Sequence, residues 1–218
     1  MKTPKITFGV IAVLLLLFYL TSCKKDSAKP DDEAKPFVLT DYYIVGKYTL
    51  NGAKMPYVIT FDENAKSNSI TVGLNSQSSW TYTDGVLTLD YGNSVKDTFK
   101  ITDGKIASFV GASKLDTYSL QKLPETNLFE GNSYSGGWIT PGSNLQLVAR
   151  FKFVGSKYGE TSLGEPVIDK DYILIKNVAA TSNTAASGIL TFFAIVNGKL
   201  EAARYKTGNY TYGTFAKL

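Results

Sequence analysis

Carboxylates and aromatic rings are the groups through which this chain could do chemistry. Its acids include Asp62, Glu63, Asp90, Asp97, Glu165, Asp169 and Asp171. A glycosidase needs only two carboxylates facing one cleft, so these residues admit a carboxylate-dependent hydrolase as a third-ranked activity. Asp169 and Asp171 stand two apart at a strand start and share a face. One such pair falls short of the about six to eight oxygens that Ca²⁺ takes. No motif gives any of these acids a catalytic or metal-binding role. The chain contains no histidine, which removes Ser-His-Asp and Cys-His catalysis and the commonest metal and haem ligand. Neither a P-loop, a Rossmann glycine run nor an EF-hand loop is present. The expectation is a protein that is not an enzyme and has no cofactor and no metal.

The aromatics are more numerous, with 14 tyrosines, 12 phenylalanines and two tryptophans. Trp80 and Tyr82 share one strand face. Trp138 follows Gly136-Gly137, a pair that suggests a loop-edge backbone and an exposed ring. Gly208-Asn-Tyr-Thr-Tyr-Gly213 sets Tyr210 and Tyr212 on one face. Aromatics on β surfaces stack on sugars or anchor interfaces, so these five are the candidate ligand-binding residues. A core built without disulfides needs large apolar groups too, and claims most of the other rings.

The only cysteine, Cys23, has a context of its own. Lys2 and Lys5 charge the N-terminus, Ile6 to Leu20 is nearly all apolar, and small residues follow. That is the layout of a secretory signal, and the apolar run is short for a membrane span. Leu20-Thr21-Ser22-Cys23 resembles the lipobox of bacterial lipoproteins. The resemblance implies cleavage before Cys23, diacylation of its thiol and anchoring to a membrane. More than one acyl chain makes such an anchor stable. Lys24, where some lipoproteins carry an inner-membrane-retaining Asp, points by the same resemblance to the outer membrane. Asp31-Asp32-Glu33 looks either like an acidic surface-export tag or like a solvated linker.

Cleavage there would remove two lysines and no acid from a net charge of +4. The remaining balance, with no basic run among aromatics, is not that of a nucleic-acid binder. Residues 1–22 are therefore expected to be the signal helix and 23–36 a flexible tether, since Lys24 to Pro36 is polar with no apolar period.

Beyond Pro36 the period is that of strands. Leu145, Leu147, Ala149, Phe151 and Phe153 alternate with polar residues, as do Tyr57, Ile59 and Phe61, and Leu87, Leu89 and Tyr91. Asn51-Gly52, Asp84-Gly85, Asp103-Gly104 and Asn197-Gly198 are tight-turn pairs between strand-like runs, so sequential strands pair antiparallel in a meander. Ser156–Pro166 and Ala179–Ser187, rich in small polar residues, read as loops.

Three segments recur in the same order. Phe99-Lys-Ile-Thr-Asp-Gly-Lys-Ile106 matches Phe193-Ala-Ile-Val-Asn-Gly-Lys-Leu200, and Tyr118-Ser-Leu-Gln-Lys-Leu123 matches Tyr212-Gly-Thr-Phe-Ala-Lys-Leu218. Gly46-Lys-Tyr48 matches Gly131-Asn-Ser-Tyr134. The order suggests a tandem repeat. The expected fold class is all-β: two tandem antiparallel meander domains, 37–123 and 128–218, each a small barrel or sandwich.

A glycine-x-aromatic first strand, hairpins and a final Tyr-x-Leu strand are similar to lipocalin-like domains, with Tyr48 standing where that family's Gly-x-Trp motif has tryptophan. The resemblance implies a calycin-type meander with a pocket at one mouth. Anchor and pattern together lead to an expected envelope binding protein for a small apolar or glycan ligand. The alternative is a scaffold or accessory subunit for another envelope protein.

Overall fold

Alternating faces and tight turns produce two antiparallel meanders. The computed structural model describes residues 37–143, 145–184 and 187–218. The expected signal helix, the tether and Cys23 lie outside the described residues. The first sheet contains β1 (Tyr42–Leu50), β2 (Ala53–Phe61), β3 (Lys66–Thr71), β4 (Leu74–Thr83), β5 (Val86–Asp90), β6 (Lys96–Thr102), β7 (Lys105–Gly111) and β8 (Leu115–Lys122). Each strand pairs with the next as far as β7, and β8 returns to pair with β1. β7 and β8 lie side by side without forming a ladder, which leaves a barrel with one open seam.

The second sheet contains β9 (Ser133–Ile139), β10 (Gln146–Val154), β11 (Lys157–Thr161), β12 (Ile168–Asp171), β13 (Ile173–Ile175), β14 (Ala179–Thr184), β15 (Ile189–Val196), β16 (Lys199–Lys206) and β17 (Asn209–Lys217). β17 pairs with β9 as β8 pairs with β1. β12 pairs with β11 and β13 with β14, and only Tyr172 separates them. They act as one bent strand that crosses the seam. Tyr172 holds the bend, its hydroxyl donating to the Gly155 carbonyl at 2.6 Å. Both meanders are therefore nearly closed barrels, which decides between barrel and sandwich. Among the described residues there is no α-helix.

The four turn pairs read from the sequence all occupy hairpins, and both members of each have positive φ, as in Asp84 (50°) and Gly85 (77°). Such dihedrals match the twist of the flanking strands, which is why Asn-Gly and Asp-Gly serve there. Two of the three matched segments fall on equivalent strands, namely the β6–β7 and β15–β16 hairpins and the closing strands β8 and β17. The third does not, because Gly46-Lys-Tyr48 lies within β1 whereas Gly131 and Asn132 precede β9. The two expected loops are corrected, because each contains a strand. β11 lies within 156–166, and β14 fills most of 179–187. Ala179 and Ala180 are small enough to be buried on opposite faces of β14, so composition alone hid the strand.

β14 is not alone in being buried on both faces; β15 and β2 are as well. On β15, Phe193 packs into its own barrel, whereas Phe192, Ala194 and Val196 share a core with Tyr43, Val45 and Val58 of the first sheet. On β2, Tyr57, Ile59 and Phe61 face inward and Val58 faces the second sheet. A fully buried Val or Phe side chain contributes about 1.5–3 kcal/mol, so this shared core is a substantial bond between the sheets. Lys47 on β1 also reaches Glu201 on β16 at 2.6 Å, with the glutamate side chain only 6% exposed. Residues 38–218 form one compact unit.

Candidate functional site

The interiors of the two barrels differ. In the second, Phe129, Tyr134, Trp138, Phe151, Phe153, Tyr158, Phe193 and Phe215 form one continuous buried cluster. Phe151 alone has five rings within 6.3 Å, mostly edge-on. In the first, serines stand among the rings. Ser67 and Ser78 are buried and joined through their hydroxyls at 2.6 Å.

At one mouth of the first barrel this leaves an open cavity of about 250 Å³. Apolar residues Ile59, Ile70, Leu74 and Leu115 wall it, and Tyr48, Tyr57 and Tyr91 add their rings. Asp97 lies on this wall with 1% of its surface exposed. β6 places it there: Asp97, Phe99 and Ile101 alternate on the inward face, and Lys96, Thr98 and Lys100 face away. Across the ladder its partner is Gly111. A Cβ on Gly111 would stand 2.1 Å from Asp97 Oδ1, so the glycine gives the carboxylate its room.

Three donors hold that carboxylate. The Ser113 amide donates to Oδ1 at 3.0 Å, the Ser113 hydroxyl donates to Oδ2, and the Tyr91 hydroxyl donates to Oδ2 at 3.3 Å. Among the described residues no lysine or arginine forms an ion pair with it. Burial, and then the nearby negative charge of Asp97, hold the Tyr57 hydroxyl well above the ordinary tyrosine value. Burial raises Tyr91 as well, with Asp97 adding to it. Both phenols therefore stay protonated at neutral pH and can act as hydrogen-bond donors.

The other acids have surface duties. Asp62 accepts the Asn64 and Lys66 amides within its own turn. Asp90 accepts the Gly92 amide and pairs with Lys96. Asp169 and Asp171 do share a face of β12, and they pair with Lys170 and Lys157. Glu165 stands 85% exposed near Lys152.

The five aromatic candidates are dispersed. Trp80 and Tyr82 are half-buried on β4, with Trp80 edge-on to Phe61 at 6.1 Å. Tyr210 and Tyr212 are partly buried against the core between the sheets, and Tyr210 tilts against Tyr205 at 5.1 Å. The expected exposure of Trp138 is corrected: the residue is 6% exposed and points into the second barrel. Its glycine neighbours serve close approach rather than a loop. A Cβ on Gly136 would stand 2.2 Å from the Thr214 carbonyl oxygen, and one on Gly137 would meet Gln146. Trp138 Nε1 donates to Glu160 at 2.8 Å, and Arg204 covers the indole at 4.2 Å while pairing with the same glutamate. This network is internally matched in charge and ends the filled barrel.

Sequence reasoning named Asp97 only as one acid among seven. The distinguishing signal was present: a carboxylate in step with Phe99 and Ile101 on an apolar strand face.

A larger recess of about 550 Å³ runs between the sheets, lined by Ile70, Leu74, Ile173, Ile175 and Leu190 among others. It has no buried charge, so the barrel mouth is the better candidate, combining an apolar wall with convergent polar groups. In comparisons with known proteins, the chain matches no family model, no curated protein and no solved structure.

Proposed function

We propose that this protein is a non-catalytic binding protein of the bacterial envelope, held to the outer membrane by lipid on Cys23. Its first barrel takes a small, mainly apolar ligand through the open mouth. The observation that carries the reading is the mouth of the first barrel, where a cavity of about 250 Å³ joins an apolar wall to the buried Asp97. The recess of about 470 Å³ at the end of the second barrel lies over a ring cluster and a glutamate already paired with Arg204. The Leu20-Thr21-Ser22-Cys23 lipobox supports the anchor. The lipocalin-like resemblance gains a second point of support. Gly136-Gly137-Trp138 on β9, the opening strand of the second barrel, has the Gly-x-Trp spacing that Tyr48 breaks in the first. A glycan loses ground as ligand, because Trp80, Trp138, Tyr210 and Tyr212 form no common open face.

Native mass spectrometry of the full chain released from its own envelope tests this. The expected result is one added mass below about 1 kDa beyond the acyl chains, a size suited to such pockets. Ser76→Phe, whose ring would fill the cavity from an exposed position, should remove it. A stoichiometric protein instead would replace this reading with that of an accessory subunit. One feature favours the alternative: Leu145, Leu147 and Val148, at the start of β10, are 74%, 66% and 59% exposed. Clustered apolar exposure of this kind marks interaction surfaces.

A further inference from the structure

The mouth of the first barrel holds an acid without a cation. Burying an ionised carboxylate is costly unless charge and hydrogen bonds compensate it. Glu201 and Glu160, also drawn away from solvent, each have a basic partner, Lys47 and Arg204 respectively. Asp97 is more buried than either and has only neutral donors, two from Ser113 and one from Tyr91. A carboxylate offers about four acceptor positions, so one remains open. Asp97 also faces the cavity rather than the packed core. Exposed Lys114 stands on the rim of the same mouth and makes no ion pair with it. Among the described residues none supplies a positive charge to it, and a ligand entering the mouth can.

We propose that the ligand of the first barrel is an organic cation, a protonated amine on an apolar body, with its ammonium against Asp97. This rests on the reading of that mouth as the ligand site and adds the chemical class. The ammonium donates to the open carboxylate position while the alkyl part lies along Ile59, Leu74 and Leu115. Gly111 is the positioning residue, because only glycine leaves the carboxylate its space.

Isothermal titration calorimetry on the full-length chain in lipid nanodiscs, with empty nanodiscs as blank, tests the proposal with hexylammonium, hexanol and hexanoate. Hexylammonium should bind about tenfold or more tightly than hexanol, as a charge-assisted hydrogen bond requires, and hexanoate should bind weakest. Asp97→Asn should bring hexylammonium down to the level of hexanol and leave hexanol unchanged. Equal affinities for hexylammonium and hexanol would overturn the cation. So would a preference for hexanoate, which would give the selectivity to Lys114. An unaltered hexylammonium affinity in folded Asp97→Asn would overturn it too. In each of those cases hexanol binding keeps the pocket reading alive, whereas failure of all three to bind sinks both. Should Asp97→Asn not fold, the three ligands on the unaltered protein still decide.

Discussion

Phe99 and Phe193 occupy the same place in their barrels, at the start of the matched hairpins. Phe193 meets Phe151, Phe153 and Tyr158 at 5.1–5.5 Å, part of a cluster that fills the lumen. Phe99 meets Phe109 and Tyr118 on the seam strands, and the next inward residue on its strand is Asp97. One interior is filled by rings, with an open recess beyond Trp138 and Arg204. The other combines rings, serines and one acid, and stays open at a mouth. A shared strand order therefore does not dictate a shared interior; the inward side chains of a few strands do.

Alkali should have the largest effect, because it acts on buried phenols in both barrels. Burial pushes Tyr43 up to about 12 and raises Tyr57, Tyr91, Tyr134 and Tyr172. In the unfolded chain they ionise near 10. The folded form keeps protons that the unfolded form loses, so stability is intact below pH 10 and falls as pH rises toward the folded values. Cooperative unfolding is expected in that window, with tyrosinate absorbance and near-ultraviolet circular dichroism changing together. Stepwise ionisation near pH 10 without loss of structure would mean the rings are open to solvent.

Next in size is Phe151→Ala, which removes the ring at the centre of the filled barrel. About 3–5 kcal/mol should be lost in urea unfolding, as for buried aromatic truncations generally. A loss below about 1 kcal/mol would mean that the second barrel is not tightly packed.

Gly111→Ala sharpens the contrast from the other side. Its methyl would press on Asp97 Oδ1 at 2.1 Å and Cα at 2.9 Å. Overpacking of this kind costs about 1–3 kcal/mol, and ligand affinity should fall along with the denaturation midpoint. A variant of unchanged stability would show that the carboxylate can move aside.

The smallest effect is expected at the serines. Ser67→Ala leaves Ser78 unpaired and should cost about 1 kcal/mol. The double variant Ser67→Ala/Ser78→Ala should cost less than twice that, because no hydroxyl is then left without its partner. Strict additivity in a double-mutant cycle would rule out the bond at 2.6 Å as a source of stability.

Much of the fold was legible because its signals are local. Alternation at Ala149–Phe153 marked a strand with one buried face, although Leu145 and Leu147 of the same run are 74% and 66% exposed. That at Tyr57–Phe61 marked the inward face of a strand buried on both sides, and Asp-Gly and Asn-Gly pairs marked turns that need positive φ. Where local chemistry had two uses, the reading went astray. Gly136-Gly137 looked like an irregular edge, but it lets β17 approach β9. Ala179-Ala180 looked like loop, but it allows β14 to be buried on both faces.

By itself the sequence determined an all-β meander and the positions of its hairpins, since two-residue periods and turn dihedrals are set by neighbours in the chain. Only the tertiary structure decided which lumen is filled by rings and which keeps a buried acid beside a cavity. It closes β8 onto β1, bends one strand at Tyr172, and sets Asp97 beside Ser113 and Tyr57. Those residues are far apart in sequence, and no local period encodes their distance. A lumen's free volume depends on side chains contributed by every strand of the barrel at once.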